Sequence, residues 1–459
     1  MIDLKEHRNI HCIGIGGVGL SAIAEILISR GYNVSGSDMN ESEITERLKE
    51  SGAVIYNNHR KENVENADLI IYSAAIAEEN PEIVRARERK LPLASRAEIL
   101  GVLMDEYKGS IAISGTHGKT TTTSMVSLVL EAAKLDPTIL VGGQLAEIGG
   151  NVKVGKSDYF VTEACEYRDS FLELRPNIEV ILNIDSDHLD YFKDIDHIVN
   201  SFEKFAMNVP GDGKIIAYDS NPLVSEVIRG RKNVVTYGYN ESSDFVIKDV
   251  RFDEAGMPSF RVRYKGTETP VHLAVPGEHN ILNSVAAFAC CVTIGAGEEI
   301  TGETLGHYKG TQRRFDIVGI TKEGVKIVDD YAHHPTEIKA TLSAAHNIPH
   351  KRLWILFQPH TYTRTLALFH QFADAFVQAD ILILADIYAA REKDIYNVSS
   401  KKLAEEIRCG HRNKDVYYMD SFEKIRDFVI SNAEKGDLVI TMGAGDIYKV
   451  GTMIMEEEA

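Results

Sequence analysis

The sequence predicts an α/β protein of three domains. Short apolar strands alternate with amphipathic helices along most of the 459 residues, and this alternation is typical of parallel sheets with right-handed crossovers. Two glycine-rich loops, far apart in the chain, each stand between a predicted strand and a predicted helix. A length of about 150 residues per domain also favours three domains.

Residues 1–106 are predicted to form a Rossmann-like domain, with strands in "NIHCIGIG", "YNVSGSD", "AVIYN" and "ADLIIYSAAI". Gly14, Gly16 and Gly19 fit the G-x-G-x-x-G pattern, which holds a pyrophosphate at a helix N-terminus. Asp38 follows the second strand, where an acidic residue would meet a ribose hydroxyl. Taken alone, these features favour a dinucleotide, and an NAD-dependent oxidoreductase is one hypothesis.

Residues 107–312 are predicted to form a central P-loop ATPase-type α/β domain with a mixed sheet. The segment "SGTHGKTTTT" departs from the strict G-x-x-x-x-G-K-T spacing but keeps G-K-T between a strand and a helix. Such a loop cradles phosphates with its backbone N–H groups, Lys119 lies along the β- and γ-phosphates, and the Thr120 hydroxyl binds Mg²⁺. A plain glycine turn with a solvated lysine is the alternative. With a triphosphate site here, the first loop is expected to hold a different pyrophosphate.

Acidic and amide side chains follow later elements of the central domain. Glu163, Glu166, Asp185, Asp187 and His188 come at the ends of two apolar strands and could converge on the phosphate loop. Carboxylates are the expected Mg²⁺ ligands, while surface acids with a structural histidine are the alternative. The segment "EHNILN" puts two asparagines on one helix face, which by itself indicates a capped helix start.

Residues 313–459 are predicted to form a second Rossmann-like domain. Polar clusters, among them "DDYAHHPTE" and "QPHTYTRT", directly follow its strands. Because open α/β sheets bind ligands at the carboxyl ends of their strands, a site is expected there.

The bulk composition excludes several classes of partner. A formal charge of −18 argues against nucleic acid, whose binding needs basic residues that neutralise phosphates. Five cysteines without framework spacing indicate reduced thiols, and the apolar run "VAAFACCVTIGAG" is too short to span a bilayer. We therefore expect a cytoplasmic protein with no membrane partner, as a monomer or homodimer.

The ordered set GIGGVG, GTHGKTTTT, EACEYRDSF, NIDSDHLDYF, HNILN, RRFD, DDYAHHPTE, QPHTYTRT and GAGDI resembles the Mur ligases of peptidoglycan synthesis, over essentially the whole chain. The resemblance implies an ATP-dependent ligase. It would join L-alanine to the lactyl carboxylate of UDP-N-acetylmuramate through an acyl phosphate. A relative that attaches a preformed peptide to the same sugar is the alternative.

The resemblance also implies roles for individual residues. The UDP-sugar would be bound by Gly14, Ile15, Gly16, Gly17, Val18, Gly19, Asp38, Ser73 and Ala74. ATP would be bound by Gly115, Thr116, His117, Gly118, Lys119, Thr120, Thr121, Asn280, Asn283, Arg314 and Asp330. The metal, Mg²⁺ with Mn²⁺ as a substitute, would be held by Thr120, Glu163 and His188. The amino acid would be bound by Tyr331, His333, His360 and Arg364. The catalytic residues would be Lys119, Glu163, His188 and His333.

Two departures from the family's common form alter these expectations. Cys165 and Tyr167 stand in a segment that commonly reads E-A-D-E-S, and Thr361 stands where P-H-R-Y-T-R has an arginine. Arg364 is therefore expected to hold the amino-acid carboxylate alone.

Overall fold

The computed structural model describes residues 2–390, 392–410 and 415–457, which form three successive α/β units with one sheet each. The predicted three-domain α/β fold is confirmed. Within these described ranges, no helix combines the length and the apolar character needed to cross a membrane.

The first unit is a parallel sheet. Its strands are β1 (Asn9–Ile13), β2 (Asn33–Ser37), β3 (Val54–Tyr56), β4 (Leu69–Tyr72) and β5 (Leu93–Ser95). Its helices are α1 (Val18–Ser29), α2 (Glu43–Glu50), α3 (Pro81–Glu88) and α4 (Arg96–Met104). The strand order β3-β2-β1-β4-β5 reverses direction at β1, so a crevice opens beyond the carboxyl ends of β1 and β4. The first glycine loop lies at that crevice.

The central unit is a ten-stranded mixed sheet. Its strands are β6 (Gly109–Ser114), β7 (Thr138–Leu145), β8 (Gly150–Lys153), β9 (Tyr159–Glu163), β10 (Ile178–Ile181), β11 (Lys214–Tyr218), β12 (Val234–Gly238), β13 (Phe245–Phe252), β14 (Pro258–Tyr264) and β15 (Thr267–His272). Its helices are α5 (Lys119–Ala132), α6 (Ile195–Met207), α7 (Pro222–Val227), α8 (Glu278–Thr293) and α9 (Glu298–Gly306). The order is β15-β14-β13-β12-β11-β10-β6-β9-β7-β8, with antiparallel pairs at both edges. The expected mixed sheet is thereby confirmed.

The third unit is a six-stranded sheet in the order β16-β17-β21-β18-β19-β20. Its strands are β16 (Asp316–Ile320), β17 (Lys326–Asp330), β18 (Leu353–Phe357), β19 (Ile381–Leu384), β20 (Asp415–Tyr418) and β21 (Leu438–Met442). Its helices are α10 (Pro335–His346), α11 (Tyr362–Ala367), α12 (Phe369–Ala373), α13 (Ser400–Gly410), α14 (Phe422–Asn432) and α15 (Tyr448–Glu457). Among the described strands of this sheet, only β16 pairs antiparallel. All five residues of β18 are buried, as expected for a strand with helices on both faces.

Candidate active site

The last residue of the loop between β6 and α5 has a backbone conformation that favours glycine. Gly118 has φ +87° and immediately precedes α5, and a Cβ placed there would collide with the Asn283 side chain. The loop is also tied to the segment after β10, because the Thr116 and His117 N–H groups donate to the Asn183 carbonyl and side-chain oxygens at 3.1 and 2.8 Å. Sequence reasoning missed Asn183. The loop is thus fixed at the N-terminus of α5, where an anion is favoured.

Lys119 folds back over its own loop. Its Nζ donates to the Gly115 and Thr116 carbonyls at 2.5 and 3.1 Å and to Glu166 at 2.9 Å. Burial disfavours the ammonium ion, but the carboxylate of Glu166 holds the pKa of Lys119 above its ordinary value. The lysine is therefore charged, and Glu166 positions it.

Thr120 and Glu163 each lie beside one of two adjacent glycines of β7. A Cβ on Gly142 would lie 2.7 Å from the Glu163 carboxylate, and a Cβ on Gly143 would lie 3.2 Å from Thr120 Cγ2. The Gly142 N–H donates to Glu163 Oε1 at 2.6 Å and orients that carboxylate. The Glu163 carboxylate and Thr120, the second residue of α5, thus lie against neighbouring positions of β7.

His188 lies on the side of the phosphate loop that faces the third unit. Its backbone has φ +54°, its ring centroid is 4.7 Å from that of Tyr167, and its Nε2 is 4.0 Å from Asp187 Oδ2. Tyr167 occupies one of the two positions where the chain departs from the common E-A-D-E-S form, and its ring supports the histidine.

A cavity of about 570 Å³ lies beside the phosphate loop, between the central and third units. Seven of the residues predicted to bind ATP line it: His117, Gly118, Thr121, Asn280, Asn283, Arg314 and Asp330. The other predicted members, Gly115, Thr116, Lys119 and Thr120, belong to the adjoining loop and the start of α5. The cavity is of a size that suits a small organic ligand.

The two asparagines of α8 are held within this wall. Asn280 Nδ2 donates to the Pro276 carbonyl at 2.8 Å, and its Oδ1 accepts from Asn283 Nδ2 at 3.3 Å. Aromatic side chains also line the cavity, and sequence reasoning missed them because they are scattered along the chain: Tyr218, Tyr237, His279 and Tyr308.

Asp330 and Arg314 bring the third unit to the cavity. Asp330 accepts hydrogen bonds from the Phe315 and Ala332 N–H groups at 2.8 and 2.7 Å, while burial raises the pKa of its carboxyl to about 6. The Arg314 guanidinium lies 5.0 Å from the centroid of the Tyr331 ring. Both side chains are thus held in place by contacts within the protein.

The phosphate loop contacts the third unit directly through His117. Its Nδ1 lies 3.3 Å from Glu337 Oε1, and its Nε2 lies 3.3 Å from Asp185 Oδ2. Burial favours the neutral ring, yet the two carboxylates raise the pKa of His117 to about 9. Glu337, at the end of the "DDYAHHPTE" motif, had no role in the sequence-based prediction.

The residues predicted to bind the amino acid lie together in the third unit. His333 lies next to Tyr331 and His360, with ring centroids 5.5 and 5.8 Å apart. Arg364 Nη1 lies 3.0 Å from His360 Nδ1. Burial lowers the pKa of His333 to about 4 and that of His360 to about 3, with the nearby Arg364 charge adding to both shifts. Both rings are therefore neutral near pH 7.

Arg364 also reaches across to the central unit. Its Nε and Nη2 donate to Asp187 Oδ1 at 3.0 Å each. Burial opposes ionisation of Asp187, but the guanidinium holds the pKa of its carboxyl well below the usual range. Thr361, at the expected position of an arginine, has φ +65°, and its hydroxyl caps α11 by accepting from the Arg364 N–H. The Arg364 guanidinium, which was predicted to hold the substrate carboxylate, is thus already paired with the carboxylate of Asp187.

The residues predicted for the UDP-sugar converge at the crevice of the first unit. Gly14 has φ +82°, and a Cβ there would lie 3.4 Å from Ser73, which with Ala74 follows β4. The Gly16 N–H donates to Asp38 Oδ2 at 3.0 Å. Gly17 precedes α1, and Val18 and Gly19 form its first turn.

The positions of two side chains at this crevice were not predicted from the sequence. The Ile15 side chain is fully buried and packs under Gly36, so only its backbone faces the crevice. Arg96, the first residue of α4, lies beside Gly19, where a Cβ would be 3.2 Å from its Nη1. Arg96 was missed because it is distant in sequence from the glycine motif, and it adds a cation next to the N-terminus of α1.

A buried acid lies beneath the phosphate loop. Glu179 is on β10, between β6 and β11, and Ser114 Oγ donates to its Oε1 at 3.2 Å. Its Oε2 is buried without a hydrogen-bond partner, and burial raises the pKa of the carboxyl to about 8. Glu179 is therefore mostly protonated at neutral pH.

Family profiles match the chain in three successive segments. The profile described as the Mur ligase family catalytic domain matches residues 9–108. The Mur ligase middle domain matches residues 113–291, and the Mur ligase glutamate ligase domain matches residues 313–445. The three matches follow the order of the three sheets.

Similar proteins match over nearly their full length. A UDP-N-acetylmuramate–L-alanine ligase of Caldanaerobacter subterraneus subsp. tengcongensis is 51% identical over 458 residues, which cover 99% of both chains. A protein of the same name from Alkaliphilus metalliredigens is 49% identical over 460 residues, again 99% of both chains.

Solved structures share the architecture. The UDP-N-acetylmuramate-alanine ligase of Thermotoga maritima has a TM-score of 0.82 and 29% identity, and covers 98% of this chain and 99% of its own. A murein peptide ligase of Psychrobacter arcticus has a TM-score of 0.74 at 23% identity over 98% of both chains, which shows a common fold. By its three profile matches and by these relatives, the chain belongs to the Mur ligase family.

Proposed function

We propose that the chain is an ATP-dependent ligase that joins L-alanine to the lactyl carboxylate of UDP-N-acetylmuramate in peptidoglycan precursor synthesis. The observation that carries the proposal is the 51% identity, over 99% of both chains, to a relative with that named activity. The geometry supports it because each unit contributes one part of a site. The first unit has the glycine crevice, the central unit has the phosphate loop, and the third unit has the cluster of neutral histidines. The hypothesis of an NAD-dependent oxidoreductase is not supported, because the chain belongs to a ligase family.

ATP would occupy the cavity of about 570 Å³, with its phosphates on the N-terminus of α5. The predicted residues support this placement, because asparagines, Arg314 and Asp330 line the cavity next to Gly118. A related ligase structure, from Thermotoga maritima and named for a different Mur ligase, was solved in complex with ADP.

Mg²⁺ would be held by the Thr120 hydroxyl and the Glu163 carboxylate, since this ion prefers oxygen ligands, and His188 is the third proposed ligand. When bound, the ion would offset negative charge between the γ-phosphate and the substrate carboxylate. Mn²⁺ is the proposed substitute, because it accepts the same oxygen ligands and binds imidazole more readily.

The first chemical step requires two anions to meet. The lactyl carboxylate oxygen attacks the γ-phosphorus, the bond to the β-phosphate oxygen breaks, and ADP leaves with an acyl phosphate formed. Lys119 and the N–H groups at the start of α5 offset the repulsion and stabilise the charge that develops in the transition state. Glu166 keeps Lys119 charged and correctly placed for this role.

The second step requires an unprotonated amine. The L-alanine nitrogen attacks the acyl carbonyl, and the tetrahedral intermediate expels phosphate to leave an amide. His333 is neutral, and its Nδ1 is engaged by the Tyr331 carbonyl at 3.0 Å, which leaves Nε2 as an acceptor. A pKa of about 4 makes it a weak base towards an ammonium group. We therefore assign His333 to orienting the amine, and propose that the ammonium proton passes to solvent before the site closes, because His188 is committed to the metal.

The amino-acid carboxylate would be held by Arg364, beside Tyr331 and His360. This requires Arg364 to share or exchange its present carboxylate partner, Asp187. The UDP pyrophosphate would lie on the loop 14–19 with Asp38, Ser73 and Ala74 beside it. Movement of the three units towards one another would close these sites over the reacting groups and exclude water from the acyl phosphate.

We further propose domain limits at 106/107 and 312/313, a cytoplasmic location and a monomer or homodimer. The location is supported by the five cysteines, all of which are free thiols. A preformed peptide as the acceptor remains the second candidate, because the Psychrobacter arcticus murein peptide ligase shares the fold.

The experiment measures phosphate released from ATP with each substrate present or omitted. We expect release only when UDP-N-acetylmuramate and L-alanine are both present, and L-serine, glycine and a tripeptide are compared as acceptors in parallel. Equal or faster turnover with a tripeptide would transfer the assignment to the peptide ligase.

A further inference from the structure

A cluster of metal-binding side chains lies at the edge of the cavity proposed for ATP and contains none of the proposed Mg²⁺ ligands. His117 and Asp185 of the central unit meet His334, which directly precedes α10 of the third unit. One ligand atom from each residue lies within 4.8 Å of those of the other two. We propose that these three residues form a zinc-class transition-metal site that bridges the central and third units.

The separations are close to those of a tetrahedral metal centre. Asp185 Oδ2 lies 3.3 Å from His117 Nε2 and 4.0 Å from His334 Nδ1. Ligands about 2.0–2.1 Å from a tetrahedral zinc ion are about 3.3 Å apart, so the Asp185–His117 separation already fits and His334 must move closer to the other two by at most about 1.5 Å. Two imidazoles with one carboxylate select zinc, cobalt or nickel over Mg²⁺.

The second nitrogen of each imidazole already has a partner of the kind that orients metal ligands. His117 Nδ1 lies 3.3 Å from the Glu337 carboxylate, and His334 Nε2 lies 2.9 Å from the Ser186 carbonyl. His117 Nε2 and His334 Nδ1 are the ring nitrogens nearest Asp185, and zinc would displace the proton on His117 Nε2 and the hydrogen bond that His334 Nδ1 accepts from the Thr336 N–H at 3.3 Å. Such outer hydrogen bonds fix the ring and raise its basicity in known metal sites.

The carboxylate ligand is oriented as well. Asp185 Oδ1 accepts from the Ser186 N–H at 2.7 Å, and its Oδ2 accepts from Thr336 Oγ1 at 2.6 Å. The His334 ring is almost fully buried, but the Asp185 side chain is 35% exposed and gives the ion a path from solvent. Water or a substrate oxygen would complete the coordination.

The test is titration of the full chain with ZnCl₂ against a chromophoric chelator, with excess Mg²⁺ present throughout. We expect one zinc ion per chain, and a weakening of at least about 100-fold in both Asp185→Asn and His334→Asn. Asparagine at 334 keeps a side chain able to cap α10, and asparagine at 185 keeps the acceptor for the Ser186 N–H, so both variants should fold. Glu337→Gln, which removes the charge beside His117 but keeps an amide oxygen to accept from the His333 and His334 N–H groups, should weaken binding about tenfold.

His370→Ala is the matched control, because this exposed histidine of the third unit lies beside Glu406 and is not a member of the cluster. It should bind zinc as the unmodified chain does. CoCl₂ provides a second readout, since a histidine and carboxylate site gives d–d bands without the charge-transfer band of a thiolate. Unchanged zinc affinity in Asp185→Asn and His334→Asn, or a thiolate band that accounts for all bound cobalt, would overturn the proposal.

Discussion

Replacing Glu179 by glutamine should stabilise the protein in a pH-dependent way. Burial raises the pKa of this carboxyl from an ordinary 4.5 to about 8, and one of its oxygens has no hydrogen-bond partner. Between these two pH values the folded chain keeps a proton that the unfolded chain releases. Stability attributable to Glu179 is therefore intact below pH 4.5 and is lost as the pH rises to 8.

The size of the effect follows from the two pKa values. Each pH unit between 4.5 and 8 lowers the free energy of unfolding by about 1.4 kcal/mol. Relative to its value below pH 4.5, this free energy is lower by about 3 kcal/mol at pH 7 and by about 5 kcal/mol above pH 8. Glutamine has nearly the same shape, accepts from Ser114 Oγ and does not titrate. The stability difference between Glu179→Gln and the unmodified chain should grow by about 3 to 4 kcal/mol from pH 5 to pH 8.

Differential scanning calorimetry at intervals of one pH unit would measure this. A gain of this size corresponds to a rise in Tm on the order of 10 °C for a unit of 150–250 residues. Glu299→Gln, at an exposed glutamate of α9, is the matched control and should show no such trend. A difference between Glu179→Gln and the unmodified chain that stays constant from pH 5 to pH 8 would refute the reasoning.

Three further predictions concern the site. Lys119→Ala should abolish phosphate release while leaving the affinity for UDP-N-acetylmuramate, measured by calorimetry, unchanged; loss of sugar binding would contradict the separation of the two loops. Gly16→Ala puts a Cβ 2.8 Å from Asp38 Oδ2 and should weaken sugar binding about tenfold without changing ATP affinity; an unaltered sugar affinity would count against that crevice. Arg364→Ala should raise the KM for L-alanine about 100-fold and leave the KM for ATP unchanged, as steady-state kinetics would show; a rise confined to ATP would disprove its role.

The features predicted best from the sequence depend on local backbone geometry. A strand, a glycine loop and a helix follow one another within about twenty residues at both phosphate-type loops, so their positions could be assigned from neighbouring residues alone. The structure has positive φ at Gly14 and Gly118, as such turns require. The mixed central sheet was also foreseen, because strand-rich sequence follows the alternating part.

The features that were missed depend on residues brought together by the fold. Arg364 meets Asp187 across 177 positions of sequence, and no pattern near either residue indicates that pairing. Arg96 reaches Gly19 only because α4 packs beside α1. Glu179 reads as an ordinary charged residue of a strand, and its burial follows from the place of β10 inside a ten-stranded sheet.

The departure at Thr361 shows how a substitution can be interpreted only in its structural setting. From sequence, the loss of an arginine there left Arg364 as the single carboxylate clamp. In the structure Thr361 caps α11, and the positioning of Arg364 depends on His360 and Asp187 instead.

The most direct test of the proposed reaction follows the carboxylate oxygens. UDP-N-acetylmuramate labelled with ¹⁸O in its lactyl carboxylate is incubated with ATP, L-alanine and the enzyme, and the released phosphate is analysed by mass spectrometry. We expect one ¹⁸O in each phosphate, together with the L-alanyl amide product, because phosphate leaves the acyl phosphate with a former carboxylate oxygen. Unlabelled phosphate would contradict the account.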